Sequence, residues 1–396
     1  MSKKVIFLCQ YFYPEYISSA QLPYQTAEDL SENGFDVEVL CGFPYEYLKA
    51  NEGIKKSEII KPNFKINRIK YSKFNKNNSL GRLLNYFSFT FFSLLNLRKF
   101  KNKDVCIVYS NPPVLPIVPY IAKKLFDMKI VFVSYDVYPE IAVSTNSISE
   151  DSLLVRLMKV INVRIFPSFD KVVALSSEMK KLIETNRKVS PESIEVIPNW
   201  HTGSVDIALE KKNGEFTVSY FGNMGTAQDM DTLTDTIVKM SDCKGIRFLL
   251  VGHGNKKDEI KKKFESIGTK NVEIIDFLHG NDLSVALNES DVFIVSLESN
   301  LAGLAVPSKT YTYLAMGKPV ISIMDENTDI AKKLTKFGAG FNIKNNDSIS
   351  LEKCIMLLKN EEIIYNQMSK NAKELSVKEY SRELSTQKYI NLINEI

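Results

Sequence analysis

Short apolar runs rich in β-branched residues alternate with longer amphipathic stretches from one end of the chain to the other. In the first half the strand-like runs are Val5–Phe12, Val37–Cys41, Ile66–Tyr71, Val105–Tyr109, Ile130–Tyr135, Val172–Leu175 and Ile194–Ile197. The rhythm restarts with Val218–Phe221 and continues through Phe248–Val251, Val272–Ile275, Val292–Ser296, Val320–Ile323 and Gly340–Ile343. Continuous apolar strands, each followed by a helical pattern, predict parallel sheets buried on both faces. Two such series predict an α/β chain of two doubly wound, Rossmann-like domains. The first helix is expected from Ala20 to Asn33, with Gly34 as its left-handed stop.

The strand ending Ile197-Pro198-Asn199 gives way to a polar stretch without strong period, which places the domain boundary between Pro198 and Glu215. The expected units are residues 1–205, residues 206–375 and a C-terminal helix, 376–396, returning to the first domain. At 396 residues the chain suits two cores of roughly 200 each. With 44% hydrophobic and 25% charged residues it reads as globular, neither disordered nor a solenoid.

Net charge is only +4, which gives no electrostatic case for nucleic acid as a partner. Its distribution is uneven: Ile54 to Lys103 holds thirteen Lys and Arg against one acid, Glu58. Within that basic segment Leu80, Leu83, Leu84, Phe87, Phe91, Leu94 and Leu95 mark one helical face. The pattern suits a core helix, or one lying in the plane of an anionic membrane over about residues 80–100. The wide stripe beside uncompensated cations favours the membrane. The uncharged stretch Leu83–Leu97 is fifteen residues, short of the ~20 that a spanning helix needs. No signal-peptide pattern follows Met1, and the five cysteines form no CxxC pair. The expectation is therefore a cytoplasmic protein with reduced thiols, peripheral on the inner membrane face.

In open α/β sheets ligands bind beyond the carboxyl ends of the strands. Two such positions stand out. Phe221-Gly222-Asn223-Met224-Gly225-Thr226-Ala227-Gln228 runs from a strand through two glycines towards a helix, offering free N–H groups to an anion. It is neither GxGxxG nor a Walker loop. In Leu304-Ala305-Val306-Pro307-Ser308-Lys309, Pro307 and Ser308 suit a helix start, which puts Lys309 in the first turn. A cation there opposes the helix dipole unless an anion binds nearby. The bland alternative is an exposed lysine.

Gly222-Asn223-Met224-Gly225, then Leu250-Val251-Gly252-His253-Gly254, then Pro307-Ser308-Lys309-Thr310-Tyr311-Thr312-Tyr313-Leu314-Ala315-Met316-Gly317-Lys318-Pro319-Val320 resemble the donor domain of retaining family-four glycosyltransferases. The likeness is greatest to the branch that builds bacterial capsule, O-antigen and exopolysaccharide, in particular N-acetyl-fucosamine transferases. Gln10-Tyr11-Phe12-Tyr13-Pro14-Glu15, Ser110-Asn111-Pro112-Pro113, Tyr135-Asp136-Val137-Tyr138-Pro139-Glu140 and Ile197-Pro198-Asn199-Trp200 agree with it in the first half. The resemblance implies the GT-B fold with a cleft between its domains, a nucleoside-diphosphate sugar (UDP favoured) held by the C-terminal domain, and no essential metal or cofactor. Many members carry two glutamates eight positions apart where this chain has Leu304 and Thr312. Members also often carry Arg and Lys in the first donor loop, where this chain offers Asn223 and Gln228. Both departures shift the electrostatic work onto Lys309.

As the glycosidic bond breaks, charge collects on the leaving diphosphate, and fixed donors around it lower the barrier. The donor-side candidates are Gly222, Asn223, Gly225, Thr226, Gln228, Gly252, His253, Phe277, Leu304, Pro307, Ser308, Lys309 and Thr312. An inverting enzyme needs a base on the acceptor side. All three histidines lie at or beyond the domain junction, which leaves Glu15 and Asp136 as the carboxylates there. The resemblance implies retention instead, with these two positioning the acceptor hydroxyl. Tyr11, Tyr13 and Glu140 complete the acceptor side, and a lipid-linked saccharide acceptor accounts for the basic, apolar helix. The rival readings are a UDP-sugar epimerase of the same fold and a non-catalytic sugar-nucleotide binding protein. A nicotinamide dehydrogenase is disfavoured by the absence of GxGxxG after the first strand.

Overall fold

A computed structural model describes residues 2–45, 48, 53–75, 79–203 and 214–396. They form two compact units. The first comprises Met1–Thr202 with Gly303–Val306 and Arg382–Ile396; the second comprises Gly203–Ala302 and Pro307–Ser381. The boundary expected at 205/206 falls outside the described residues.

Unit 1 is built from β1 (Lys4–Cys9), α1 (Ser18–Glu32), β2 (Asp36–Gly42), β3 (Ser57–Lys61), β4 (Phe64–Ile69) and α2 (Ser79–Leu94). It continues through β5 (Val105–Tyr109), α3 (Ile117–Phe126), β6 (Lys129–Ser134), α4 (Glu140–Ser144), α5 (Leu153–Ile165), β7 (Lys171–Ala174), α6 (Ser177–Arg187) and β8 (Ile194–Val196). Its sheet runs β3-β4-β2-β1-β5-β6-β7-β8 and is parallel except for the antiparallel β3–β4 pair. The apolar pattern did not show β3, because Ser-Glu-Ile-Ile-Lys is an edge strand with Ile59 largely exposed. One face of this sheet packs Val5, Phe7, Cys9, Val37, Val39, Val105 and Ile107 against Leu22, Ala27 and Leu30 of α1.

Unit 2 contains β9 (Phe216–Phe221), α7 (Met230–Lys239), β10 (Ile246–Val251), α8 (Lys257–Ile267), β11 (Val272–Ile275), α9 (Gly280–Glu289) and β12 (Val292–Ser296). It closes with α10 (Lys309–Ala315), β13 (Val320–Ile323), α11 (Asp329–Phe337), β14 (Gly340–Ile343), α12 (Ser348–Asn360) and α13 (Glu362–Glu379). Its sheet, β11-β10-β9-β12-β13-β14, is parallel throughout. Strand order reverses beside β9, and the Gly222 loop leaves the carboxyl end of that strand.

The last helix, α14 (Arg382–Glu395), belongs to unit 1, where Tyr389, Ile390, Leu392 and Ile393 join the core. The expected returning segment began at residue 376, but α13 carries the chain within unit 2 as far as Glu379. Arg382 Nη2 fixes the return by donating to Asp29 Oδ1 at 2.5 Å and Glu28 Oε2 at 2.7 Å on α1. Ser385 Oγ also donates to the Pro198 carbonyl at 3.0 Å.

Candidate active site

In unit 2 the site begins at the end of β9. Gly222 N–H donates to Val251 O, Met224 N–H to His253 O at 2.6 Å and Lys256 N–H to Met224 O at 2.9 Å. The two loops therefore lie backbone against backbone. A Cβ on Gly252 would sit 1.8 Å from Gly222 O, and one on Gly254 would sit 2.2 Å from Met224 O. Only glycine permits this approach, and both residues also hold positive φ, 149° and 148°. Asp229 then caps α7, accepting from Thr232 N–H at 2.9 Å. Its second carboxylate oxygen takes Thr232 Oγ1, Asn345 Nδ2 and Asn346 N–H, which ties the loop down.

Lys309 opens α10 as expected, with Ser308 at the N-cap position but making no side-chain cap bond. Its ammonium lies 5.8 Å from the centre of the Phe277 ring. Phe277 in turn meets His253 at 5.8 Å and His279 at 4.8 Å, both edge-on. Burial lowers the Lys309 pKa from its ordinary value, and among the described residues no carboxylate pairs with it. A half-buried cation without a counter-ion, beside an aromatic ring at 39% exposure, is chemically suited to an anion attached to a planar base. Gln228 Oε1 adds a buried acceptor with no hydrogen-bond partner in the same loop region.

Tyr313 couples these parts. Its hydroxyl donates to Phe221 O at 2.9 Å and accepts from Phe221 N–H at 3.1 Å. Its ring stacks on Phe293 at 4.2 Å, and it is 1% exposed. Sequence reasoning missed Tyr313, His279 and Glu298. The first lay inside a motif whose tyrosines carry no chemical signature. His279 follows β11 at a strand end, which was a usable signal. Glu298, whose carboxyl is raised by burial and then by the Asp229 charge, lies next to the donor loop through Glu298 N–H donating to Ala227 O at 3.0 Å.

Unit 1 gathers Tyr11, Asp136 and Tyr138. Ser110 Oγ accepts from the backbone N–H of Tyr135 at 3.0 Å and of Asp136 at 3.3 Å, holding the loop after β6. Asp136 lines a small pocket with Ser110, Ser134, Tyr138 and Arg187, and burial raises its carboxyl to about 6. Glu15 is 2% exposed and accepts from Phe12 N–H at 3.3 Å, while Tyr13 stacks on Tyr24 at 4.8 Å.

Two candidates need correction. Leu304, expected beside the donor, lies in unit 1: its carbonyl accepts from Val137 N–H at 2.9 Å, and Ala305 forms a β-bridge with Asp136. A leucine at that position has no carboxylate to offer a sugar, and its backbone serves as an edge for the Asp136 loop instead. Glu140, expected on the acceptor side, gives both oxygens to the Arg187 guanidinium, one at 2.8 Å. The Arg187 side chain is only 2% exposed, so this is a structural ion pair. Among the described residues no group of three or more His, Cys, Asp or Glu side chains could hold a metal ion.

Two Rossmann-like domains, with the last helix returned to the first, are the architecture of GT-B glycosyltransferases, and comparisons with known proteins agree. The family model Glycosyltransferase Family 4 matches residues 21–201, and Glycosyl transferases group 1 matches residues 215–360. The chain is a family-four glycosyltransferase of the GT-B fold, related to enzymes of bacterial polysaccharide biosynthesis. It is 26% identical over 309 residues to the probable glycosyltransferase WbjE of Pseudomonas aeruginosa, covering 75% of this chain and 76% of that one. It is 24% identical over 181 residues to the putative colanic acid biosynthesis glycosyl transferase WcaI of Escherichia coli, covering 42% and 44%. Among solved structures, Anabaena HepE in complex with UDP and glucose superposes with a TM-score of 0.69 at 15% identity, covering the whole of both chains.

Proposed function

We propose that this glycosyltransferase moves a sugar, with retention of its anomeric configuration, from a UDP-sugar to a lipid-linked saccharide at the inner face of the cell membrane. The reading is carried by one observation: a half-buried Lys309 beside Phe277 in unit 2, with no carboxylate partner among the described residues. The HepE complex with UDP supports uridine as the nucleoside, and the colanic acid assignment of WcaI supports surface polysaccharide as the product class. N-acetyl-fucosamine remains part of the proposal as the donor sugar.

In this mechanism the bond from the anomeric carbon to the diphosphate breaks and its electron pair leaves with the phosphate oxygen. Lys309, the Asn223 and Gly225 amides, Ser308 and Thr312 receive that charge, the Gly222 and Met224 N–H groups being held by Val251 O and His253 O. The acceptor hydroxyl attacks on the same face, and its proton passes to the departing oxygen. Asp136 and Glu15 orient the hydroxyl, with Tyr11 and Tyr13 beside the acceptor sugar.

The decisive test is ligand-dependent melting of the full chain. At a hundredfold excess over Kd, UDP should stabilise by about 2.7 kcal/mol and raise the Tm by about 5–10 °C, whereas NAD should leave it unchanged. If neither UDP nor GDP shifts the transition, the reading fails. NMR of the product then separates transfer from epimerisation, since an epimerase releases a free sugar and a retaining transferase keeps the donor's anomeric configuration in a new linkage.

Asp136 gives a pH signature. Its carboxyl titrates near 6 and orients a hydroxyl only when ionised. Thus kcat/KM should rise with pH through about 6 and level off above 7, while Asp136→Asn should be slower and lack that limb. A wild-type profile flat from pH 5 to 8 would remove Asp136 from the acceptor side.

A further inference from the structure

Helix α2 carries the apolar face read from the sequence. Leu80, Leu84, Phe87 and Phe91, with Leu95 just past its end, are exposed, Leu83 and Leu94 are partly buried, and Asn85, Phe89, Thr90 and Ser93 face inward. The helix stops at Leu94, short of residue 100, and a separate short turn covers Leu97–Phe100. A second helix repeats the pattern, and the mechanism makes no use of it. On α5, Leu153, Leu157 and Val160 are exposed to 81%, 52% and 56%. Their spacing puts them on one face. Val155 and Ile165 are buried on another, and Ser152 caps the helix by accepting from Val155 N–H at 3.2 Å.

The two helices flank one loop. Asn162 of α5 donates to the Tyr138 carbonyl at 2.9 Å. The Tyr138 phenol, raised first by burial, lies within electrostatic reach of Tyr86 and Arg82 of α2 and of Asp136. Every charged residue within either helix is cationic: Arg82 on α2, and Arg156, Lys159 and Arg164 on α5. Two of these have partners just before α5, Arg156 with Asp151 at 3.4 Å and Lys159 with Glu150 at 3.0 Å, all four side chains substantially exposed. Ion pairs this open to water are weak and yield readily to another anion. No helix among the described residues is long and apolar enough to cross a membrane. Apolar stripes bordered by cations, one on each helix, match the interface of an anionic bilayer, where side chains enter the acyl boundary and cations meet headgroups.

We propose that α5 is a second seat on an anionic lipid bilayer, its Leu153–Leu157–Val160 stripe inserting alongside α2 so that the Asp136–Tyr138 loop between them is presented to membrane-bound acceptor. The contact with lipid stands on the two helices alone; presentation to an acceptor rests on the proposed function.

The test is co-sedimentation of the full chain with vesicles of phosphatidylglycerol and phosphatidylcholine, against phosphatidylcholine alone, without nucleotide sugar or acceptor. It therefore reads the seat independently of catalysis. L153S/L157S/V160S should weaken partitioning into the anionic vesicles about tenfold, as should F87S/F91S. Combining the two sets should abolish binding. R164E should weaken binding to anionic vesicles and leave the weak binding to neutral ones unchanged. All positions are on the surface, so wild-type Tm and wild-type turnover of a water-soluble acceptor should be kept by the α5 variants. Undiminished sedimentation of a folded L153S/L157S/V160S protein would overturn the proposal. So would analytical ultracentrifugation showing that the same substitutions instead convert a dimer to a monomer, which would make the stripe a contact between copies.

Discussion

Replacing Lys309 with alanine is expected to lower kcat by about 10²–10³-fold without lowering thermal stability. The second half of the expectation separates a functional lysine from a structural one. Lys309 has no carboxylate partner among the described residues, and burial depresses its pKa. A depressed lysine pKa means that the folded state binds its proton less readily than the unfolded chain, so below the folded pKa the charge opposes folding. Truncation removes that opposition, and the variant should melt at or above the wild-type temperature. What it loses is the cation beside Phe277. The stabilisation by UDP should shrink accordingly, and a Lys309→Arg variant should recover part of it. Single-turnover rates and melting curves with and without UDP measure all three effects. Turnover within a few-fold of wild type would dismiss the role of Lys309 at the diphosphate.

The largest effect on stability is expected at Arg187. Its guanidinium is buried, engages both oxygens of Glu140 and donates to the Tyr138 carbonyl at 2.7 Å. Arg187→Met strands a carboxylate that is 18% exposed, and breaking a pair of this kind typically costs about 3–5 kcal/mol. Adding Glu140→Gln should return part of that loss, because the stranded charge is gone. Urea melts of the two variants and of the single Glu140→Gln protein close the cycle. A change under about 1 kcal/mol for Arg187→Met would place the pair among those of little consequence. Because Arg187 also holds the loop that carries Asp136, the double variant should regain stability before it regains acceptor turnover.

The sequence disclosed most of the scaffold because parallel strands covered on both faces leave continuous apolar runs. The six strands of unit 2 and seven of the eight in unit 1 lie where those runs fall. Edge strand β3 does not, since its residues answer to solvent on one side. The packing of the two glycine loops of unit 2 was legible for a similar reason: glycines that must touch another backbone, such as Gly252 and Gly254, leave a mark in the sequence. Partnerships between distant side chains leave none. Nothing in the sequence separates Glu140, engaged by Arg187, from Asp136, which forms no ion pair among the described residues, although the two stand only four positions apart. Leu304 was misplaced because motif spacing fixes a position along the chain, whereas hydrogen bonding of its carbonyl decides the unit it joins.

The double hydrogen bond from Tyr313 to Phe221 bears on how this enzyme could be re-engineered. It rivets the strand that ends in the glycine loop to the helix that begins with Lys309, at a point sealed by Phe293. Those two pieces should therefore tolerate little independent change and are best inherited together. The ring cluster of His253, Phe277 and His279 stands outside the rivet and is open to solvent. On the donor site proposed above, libraries seeking a new nucleotide preference would vary that cluster and keep Tyr313 constant, treating the region around it as a fixed chassis onto which other loops can be grafted.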